Sequence, residues 1–242
     1  MENWKTERIA STYIEGVRGA IPLASEQIEI LLRIIHFFKP EIISFLDLGC
    51  GDGILGYTLF SNWPEARGIF LDYSDPMIKA AKSRCAQYED QSSFIVKDFS
   101  EDGWHQAISD NMPVDIVISG FSIHHQENSK KKKLYKTIFS DLLKPGGIFL
   151  NLDQVLSPGK DIEKLFDSYF LEKVKNHQQK TNSNIPIEKI AEEYYKDKEV
   201  NILASVEDQC RWLRKIGFTN VDCFFKAFEL SIFGGIKPES KG

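Results

Sequence analysis

FLDLGCGDGILG, residues 45–56, places glycines at 49, 51 and 53 directly behind an apolar run and an acid, Asp47. Glycine reaches positive φ without a steric penalty and lets a ligand touch the backbone. A strand, a GxGxG turn and a helix therefore predict a tight turn beneath a helix N-terminus. The dinucleotide version of such a turn needs G-x-G-x-x-G, with its third glycine at position 54. Here Ile54 occupies that position and the third glycine comes one residue early. The stretch points away from a pyrophosphate ligand.

Outward from this turn, short apolar runs alternate with helical stretches. Residues 42–47, 68–72, 93–98, 114–119 and 148–153 read as strands. Residues 54–63, 74–88 and 130–143 read as helices, the second capped by Ser74 with Pro76 in its first turn. Ahead of them, 25–38 has helical spacing with Ser25 as cap, and Pro40 ends it. Fully apolar strands alternating with helices predict a parallel sheet covered on both faces. Four runs close on Asp47, Asp72, Asp98 and Ser119, which marks the carboxyl edge where open α/β sheets bind ligands. Residues 154–204 change character: they are polar, helical and broken at 181–186, and predict two or three inserted helices. A helix at 206–216 and strands at 219–226 and 228–235 follow, at least one of these strands antiparallel. The expected fold is a Rossmann-like α/β sheet of seven strands, mostly parallel, with helices on both faces and a helical cap after strand five.

With 242 residues, 42% of them hydrophobic and 27% charged, the chain suits one large domain with an inserted cap. The expected units are an N-terminal helical segment (1–40), a core (41–153), a cap (154–204) and a C-terminal completion of the core (205–242). A formal net charge of −5 disfavours nucleic acid as the main partner. The basic run Lys130–Lys133 reads as a solvated helix turn. Cys50, Cys85, Cys210 and Cys223 form no CxxC pair and read as reduced, mostly buried thiols with no zinc site. The N-terminus has no signal-peptide pattern and no apolar run approaches a membrane span, so a cytoplasmic protein is expected.

Asp47-Leu-Gly-Cys-Gly-Asp-Gly53 resembles the glycine-rich motif of class I S-adenosylmethionine-dependent methyltransferases. The resemblance extends to Asp72, which stands where the family's acid binds both ribose hydroxyls, and to Tyr73 and Met77, placed to bracket the adenine. Asp98 and Phe99 stand where the family binds the adenine amino group. SGFSIHH (119–125), beginning at Ser119, and LLKPGG (142–147) are similar to the family's segments around strands four and five. The resemblance thus implies S-adenosylmethionine as cofactor, held by Asp47, Gly49, Gly51, Gly53, Asp72, Tyr73, Met77, Asp98, Phe99 and Ser119. Tyr13 and Arg18 resemble residues that relatives place near the methionine portion, within a segment that folds over the cofactor.

Methyl transfer from a sulfonium needs an aligned acceptor and, where a proton must leave, a base. His124, His125 and Asp153 are the catalytic candidates. Relatives with a similar HH pair act on unlike acceptors, so the resemblance favours loop shaping over base catalysis for the histidines. Gln154, Glu15 and Tyr194 are candidate acceptor contacts, with Phe166, Tyr169, Phe170 and Tyr195 as lining or core of the cap. A closed cap predicts a small-molecule acceptor, and Glu15, Asp153 and Tyr194 tilt the expectation toward a cationic amine or guanidine. Three rivals stand beside this reading. RNA or protein methylation lacks its NPPY or Pro-Cys signature here, since SGFS follows strand four. A non-catalytic cofactor-binding protein sits poorly with an intact acid set. Modification of the cofactor itself calls for an anion-binding arginine, with Arg18 the obvious one.

Overall fold

The computed structural model describes residues 21–180 and 186–239. Helix α1 (Ala24–Phe38) leads into β1 (Ser44–Leu48). Then come α2 (Ile54–Asn62), β2 (Arg67–Asp72), α3 (Asp75–Arg84) and β3 (Ser92–Val96). β4 (Val114–Gly120), α4 (Asn128–Thr137) and β5 (Leu143–Gln154) complete the parallel part. The insertion supplies α5 (Lys160–Lys180) and α6 (Ile187–Glu199). Helix α7 (Val206–Ile216) precedes β6 (Thr219–Ala227) and β7 (Leu230–Ile236).

The seven strands form one sheet in the order β3-β2-β1-β4-β5-β7-β6. β7 runs antiparallel to both β5 and β6, and the remaining pairs are parallel. The order reverses between β1 and β4, so the glycine-rich turn after β1 lies beside the end of β4. That crevice is the ligand position of doubly wound sheets. Alternation along each strand feeds two cores. Leu46, Leu48, Val117 and Phe149 face one helical layer, while Phe45, Phe70, Ile116 and Leu150 face the other. The Phe45 and Phe60 rings meet edge-on at 4.9 Å in the second core. Truncating either to alanine is worth about 3–5 kcal/mol by the usual cost of a phenylalanine-sized cavity. The cap adds a third cluster of Phe166, Phe170, Val174 and Leu230, which ties it to β7.

Several boundaries differ from expectation for physical reasons. α1 begins one residue before Ser25, which bonds Glu26 instead of capping, and the helix starts from Leu23 in the left-handed region at φ 59°. Ser74 does cap α3, accepting from the Met77 N–H at 3.4 Å. β3 stops at Val96, so Asp98 stands in the following loop and not on the strand. The link between β6 and β7 is Phe228–Glu229 rather than Ala227. Lys130–Lys133 is not uniformly solvated: Lys131 is buried, Lys132 lies over the Trp212 ring and Lys133 pairs with Asp102. Cys50, Cys85 and Cys210 are buried, Cys223 is half-buried, and all four are free. Among the described residues no helix is long and apolar enough to cross a membrane, and no group of metal-ligating side chains forms.

Candidate active site

Gly49, Gly51 and Gly53 all adopt positive φ, at 68°, 53° and 77°. The turn is pinned to β2, because the N–H groups of Gly49 and Cys50 both donate to the Leu71 carbonyl at 2.7 and 3.0 Å. The first two of these glycines differ in what surrounds them. A Cβ on Gly49 would stand 1.9 Å from Ser122 Oγ, whereas a Cβ on Gly51 would meet nothing within 4 Å. The bare backbone at Gly51 faces open space, which is the room a ligand needs.

A cavity of about 200 Å³ opens there, lined by Gly49, Gly51, Asp72, Tyr73 and Met77 at one end. Asp72 is buried, and its carboxylate accepts from the Gly51 and Ser74 N–H groups, each at 2.9 Å. Burial raises its pKa, against the backbone N–H bonds from Ser74, Gly51 and Tyr73. A carboxylate at the end of β2 beside glycine backbone suits two vicinal hydroxyls, which need a paired acceptor. The residues present therefore fit the ribose of S-adenosylmethionine.

Other expected cofactor residues sit behind this surface. Asp47 is buried and accepts from the Gly56 N–H at 2.9 Å, holding the start of α2 onto β1. The Ser119 hydroxyl is buried and donates to the Leu48 carbonyl at 2.7 Å. Neither lines the cavity, because their side chains leave the strands toward the protein interior. Asp98 accepts from the Ser100 N–H at 2.7 Å in a loop turn and does not line the cavity. Phe99 is buried and its ring comes 3.3 Å from where a Gly49 Cβ would be. Gly53 abuts Ala81 of α3 and serves packing of the turn. Tyr13, Glu15 and Arg18 lie outside the described residues.

The far end of the cavity belongs to β4, β5 and the cap. His124, His125 and Gln154 line it, with Phe166, Phe170 and Tyr194 above. The decisive contact here pairs His124 Nδ1 with Asp153 Oδ1 at 2.5 Å. Asp153 is buried and does not line the cavity. It also accepts from Asn151 Nδ2 at 3.1 Å and from the Gln154 N–H at 3.0 Å. The Asn151 amide and the Gln154 N–H both donate to this carboxyl, which suits an acceptor-only carboxylate, and with such a partner the imidazole proton is assigned to Nδ1 and the lone pair to Nε2. The His125 ring lies 4.0 Å from that of His124. Burial, with the neighbouring His124 adding to the effect, pushes the His125 pKa down to about 3.

Tyr194 and Lys198 come from α6. The Tyr194 hydroxyl donates to Asp167 Oδ1 at 2.7 Å, and burial together with that bond raises its pKa. Lys198 pairs with Asp167 at 2.6 Å and Glu163 at 3.0 Å, with Glu229 at 3.6 Å. Burial works against its charge, yet these acids hold its pKa above the ordinary lysine value. Glu229 in turn accepts from Gln154 Nε2 at 2.6 Å and Ser157 Oγ at 2.7 Å. Sequence reasoning missed Lys198, Asp167 and Glu229, whose meeting depends on where the cap helices land.

Residues 45–147 match the methyltransferase-domain family. This chain carries a class I S-adenosylmethionine-dependent methyltransferase domain. Curated relatives of the methyltransferase are of two kinds. A carboxy-S-adenosyl-L-methionine synthase from Desulfotalea psychrophila is 23% identical over 96% of this chain and 91% of its own length. A malonyl-[acyl-carrier protein] O-methyltransferase from Magnetococcus marinus is 33% identical, over 39% of this chain and 33% of that protein. Among solved structures, an O-methyltransferase family protein from Burkholderia thailandensis superposes with a TM-score of 0.65 at 13% identity, covering 97% of this chain and 61% of the other. Human N-acetylserotonin methyltransferase, solved with its cofactor, gives 0.61 at 16% identity, covering 97% and 57%. The methyltransferase thus spans about three fifths of these two solved chains, and at such identities they share its fold. S-adenosylmethionine is its cofactor.

Proposed function

We propose that this enzyme methylates an oxygen of a small, uncharged and largely apolar acceptor, with His124 taking the proton that leaves. The observation that carries the proposal is the 2.5 Å contact between His124 Nδ1 and Asp153 Oδ1. A carboxylate on Nδ1 orients an imidazole and stabilises the imidazolium it becomes, which is the logic of a general base. His124 lines the cavity, so Nε2 is its nitrogen available to an acceptor hydroxyl. S-adenosylmethionine, when bound, supplies a methyl group on a positively charged sulfur and departs as a neutral thioether. The chain's own part is alignment, exclusion of water by the cap and removal of one proton. This gives His124 more than loop shaping.

The charges at the acceptor end are compensated internally. His125 is held neutral by burial, and three acids surround Lys198. Asp153 and Tyr194, which favoured a cationic amine, are engaged by His124 and Asp167. Phe121, Phe166 and Phe170 supply apolar lining for an aromatic or aliphatic body. An oxygen acceptor also accords with the name of the Magnetococcus marinus relative. The test is a panel of small hydroxylated aromatics with methyl-labelled cofactor. His124→Gln is expected to lose at least roughly 100-fold in turnover, the lower range for general-base catalysis. Full activity in a folded His124→Gln enzyme contradicts the assignment.

A second reading comes from the relatives that match along nearly the whole chain, which are named carboxy-S-adenosyl-L-methionine synthases. It has the enzyme build onto the cofactor itself. A carboxylate product wants an uncommitted cation, and among the described cavity-lining residues Lys198 is the one lysine or arginine. Its ammonium is already held by Asp167 and Glu163. Arg18, the arginine expected for this reading, lies outside the described residues, so the preference for the acceptor reading rests on the His124–Asp153 pair.

A further inference from the structure

Of the four consecutive lysines, Lys131 alone is buried, at 1% exposure, on the face of α4 shared with Leu134 and Tyr135. Its ammonium donates to the Ile202 carbonyl and, at 3.3 Å, to Asn128 Oδ1. Ile202 belongs to the segment that leaves the cap after α6, and its own N–H donates to the His124 carbonyl at 3.0 Å. Lys131 and His124 therefore grip one residue from opposite sides, by its carbonyl and its amide. Two residues on, the Ala204 carbonyl accepts from the Leu156 N–H at 3.0 Å, so both ends of the cap are tied to each other here.

Burying an ammonium against neutral oxygens is costly, and an apolar side chain of similar length fills such a site without that cost. Burial pushes the Lys131 pKa down to about 8, with the charge of Asp153 working in the opposite direction. The carboxylate that this lysine feels is thus the one that orients His124. Proton removal by His124 makes no use of Lys131, so its costly placement needs another reason.

We propose that Lys131 is a positioning residue for His124: by clamping Ile202 against the His124 turn, it fixes the imidazole toward Asp153 and joins the exit of the cap to the catalytic turn. The proposal deepens the reading of His124 as base and rests on it for its functional meaning. Its test needs no acceptor, so its outcome is separate from that of the His124→Gln turnover experiment. The probe is S-adenosylhomocysteine bound to full-length enzyme labelled with ¹⁵N.

In the wild type, His124 gives distinct ring-nitrogen signals for a protonated Nδ1 and a bare Nε2. In Lys131→Met these signals converge as the tautomer and ring orientation are released. The Ile202 amide exchanges at least about tenfold faster, as expected for local opening. S-adenosylhomocysteine affinity stays within about twofold, because Lys131 does not line the cavity. Lys131→Arg, which keeps a charged donor, restores both signatures. Should Lys131→Met fail to fold, Lys131→Gln replaces it: its amide stops one bond short of Ile202 and is expected to change both readouts in the same direction. Unchanged His124 signals and unchanged Ile202 exchange in a folded variant overturn the proposal. So does a variant whose only change is a lower melting temperature.

Discussion

The Gly51 N–H donates to the Asp72 carboxylate at 2.9 Å, so the glycine-rich turn and the acid proposed for the ribose hydroxyls form one unit. Asp72→Ala removes the acceptor for the hydroxyls and also frees the turn. Cofactor affinity is expected to fall by roughly 1.5–3 kcal/mol, the scale of hydrogen bonds to a charged group. Isothermal titration with S-adenosylhomocysteine measures it, and an unchanged affinity in a folded variant would remove Asp72 from the ribose site.

Two glycines of the same turn should fail differently. Gly49→Ala drives a methyl into Ser122 from a backbone already at φ 68°. It is expected to lower stability by at least about 1–2 kcal/mol, the scale of left-handed strain alone. Gly51→Ala has the same backbone problem but an open surrounding, so its larger effect falls on cofactor affinity. Urea midpoints compared with titration calorimetry separate the two. Equal profiles for both variants would contradict the division of roles.

His125 makes the enzyme acid-sensitive in a defined window. Its folded pKa is depressed to about 3 from an ordinary 6.5. Between those values the unfolded chain binds the proton and the folded chain does not, so stability falls as pH drops from about 6.5 toward about 3. Above the upper value the contribution is fully present. Urea midpoints between pH 7 and pH 4 are expected to decline less steeply in His125→Phe than in the wild type. Parallel declines would show that another group sets the acid slope.

Much of the site's cofactor end was legible because it is local in sequence. Gly49, Gly51 and Gly53 announce their backbone, and Asp72 follows from the end of the next strand. The facing of strand-end polar groups was less legible. Asp72 is the last residue of β2, whereas Asp47 and Ser119 stand one residue before the ends of their strands and turn inward to Gly56 and Leu48. A strand end marks an edge and leaves open which side a given residue takes. The His124–Asp153 pair spans 29 positions and exists because β4 and β5 are neighbours, with Gly120 opposite Leu152. Lys131 carried a signal that its charge concealed: with Leu134, Tyr135 and Ile138 it falls on the i, i+3, i+4, i+7 stripe of a buried helix face. The Lys198 cluster had no such signal, because it joins α5, α6 and the turn before β7, and nothing local sets where those three meet.

The central claim is that the methyl group leaves the cofactor for a small oxygen acceptor. The most direct measurement incubates the enzyme with methyl-labelled S-adenosylmethionine and a small-molecule extract, followed by mass spectrometry of every labelled species. The account predicts the label on an oxygen of an uncharged small molecule, with S-adenosylhomocysteine released in equal amount and both products lost in His124→Gln. Label retained on a cofactor that has gained the mass of a carboxyl group would contradict it.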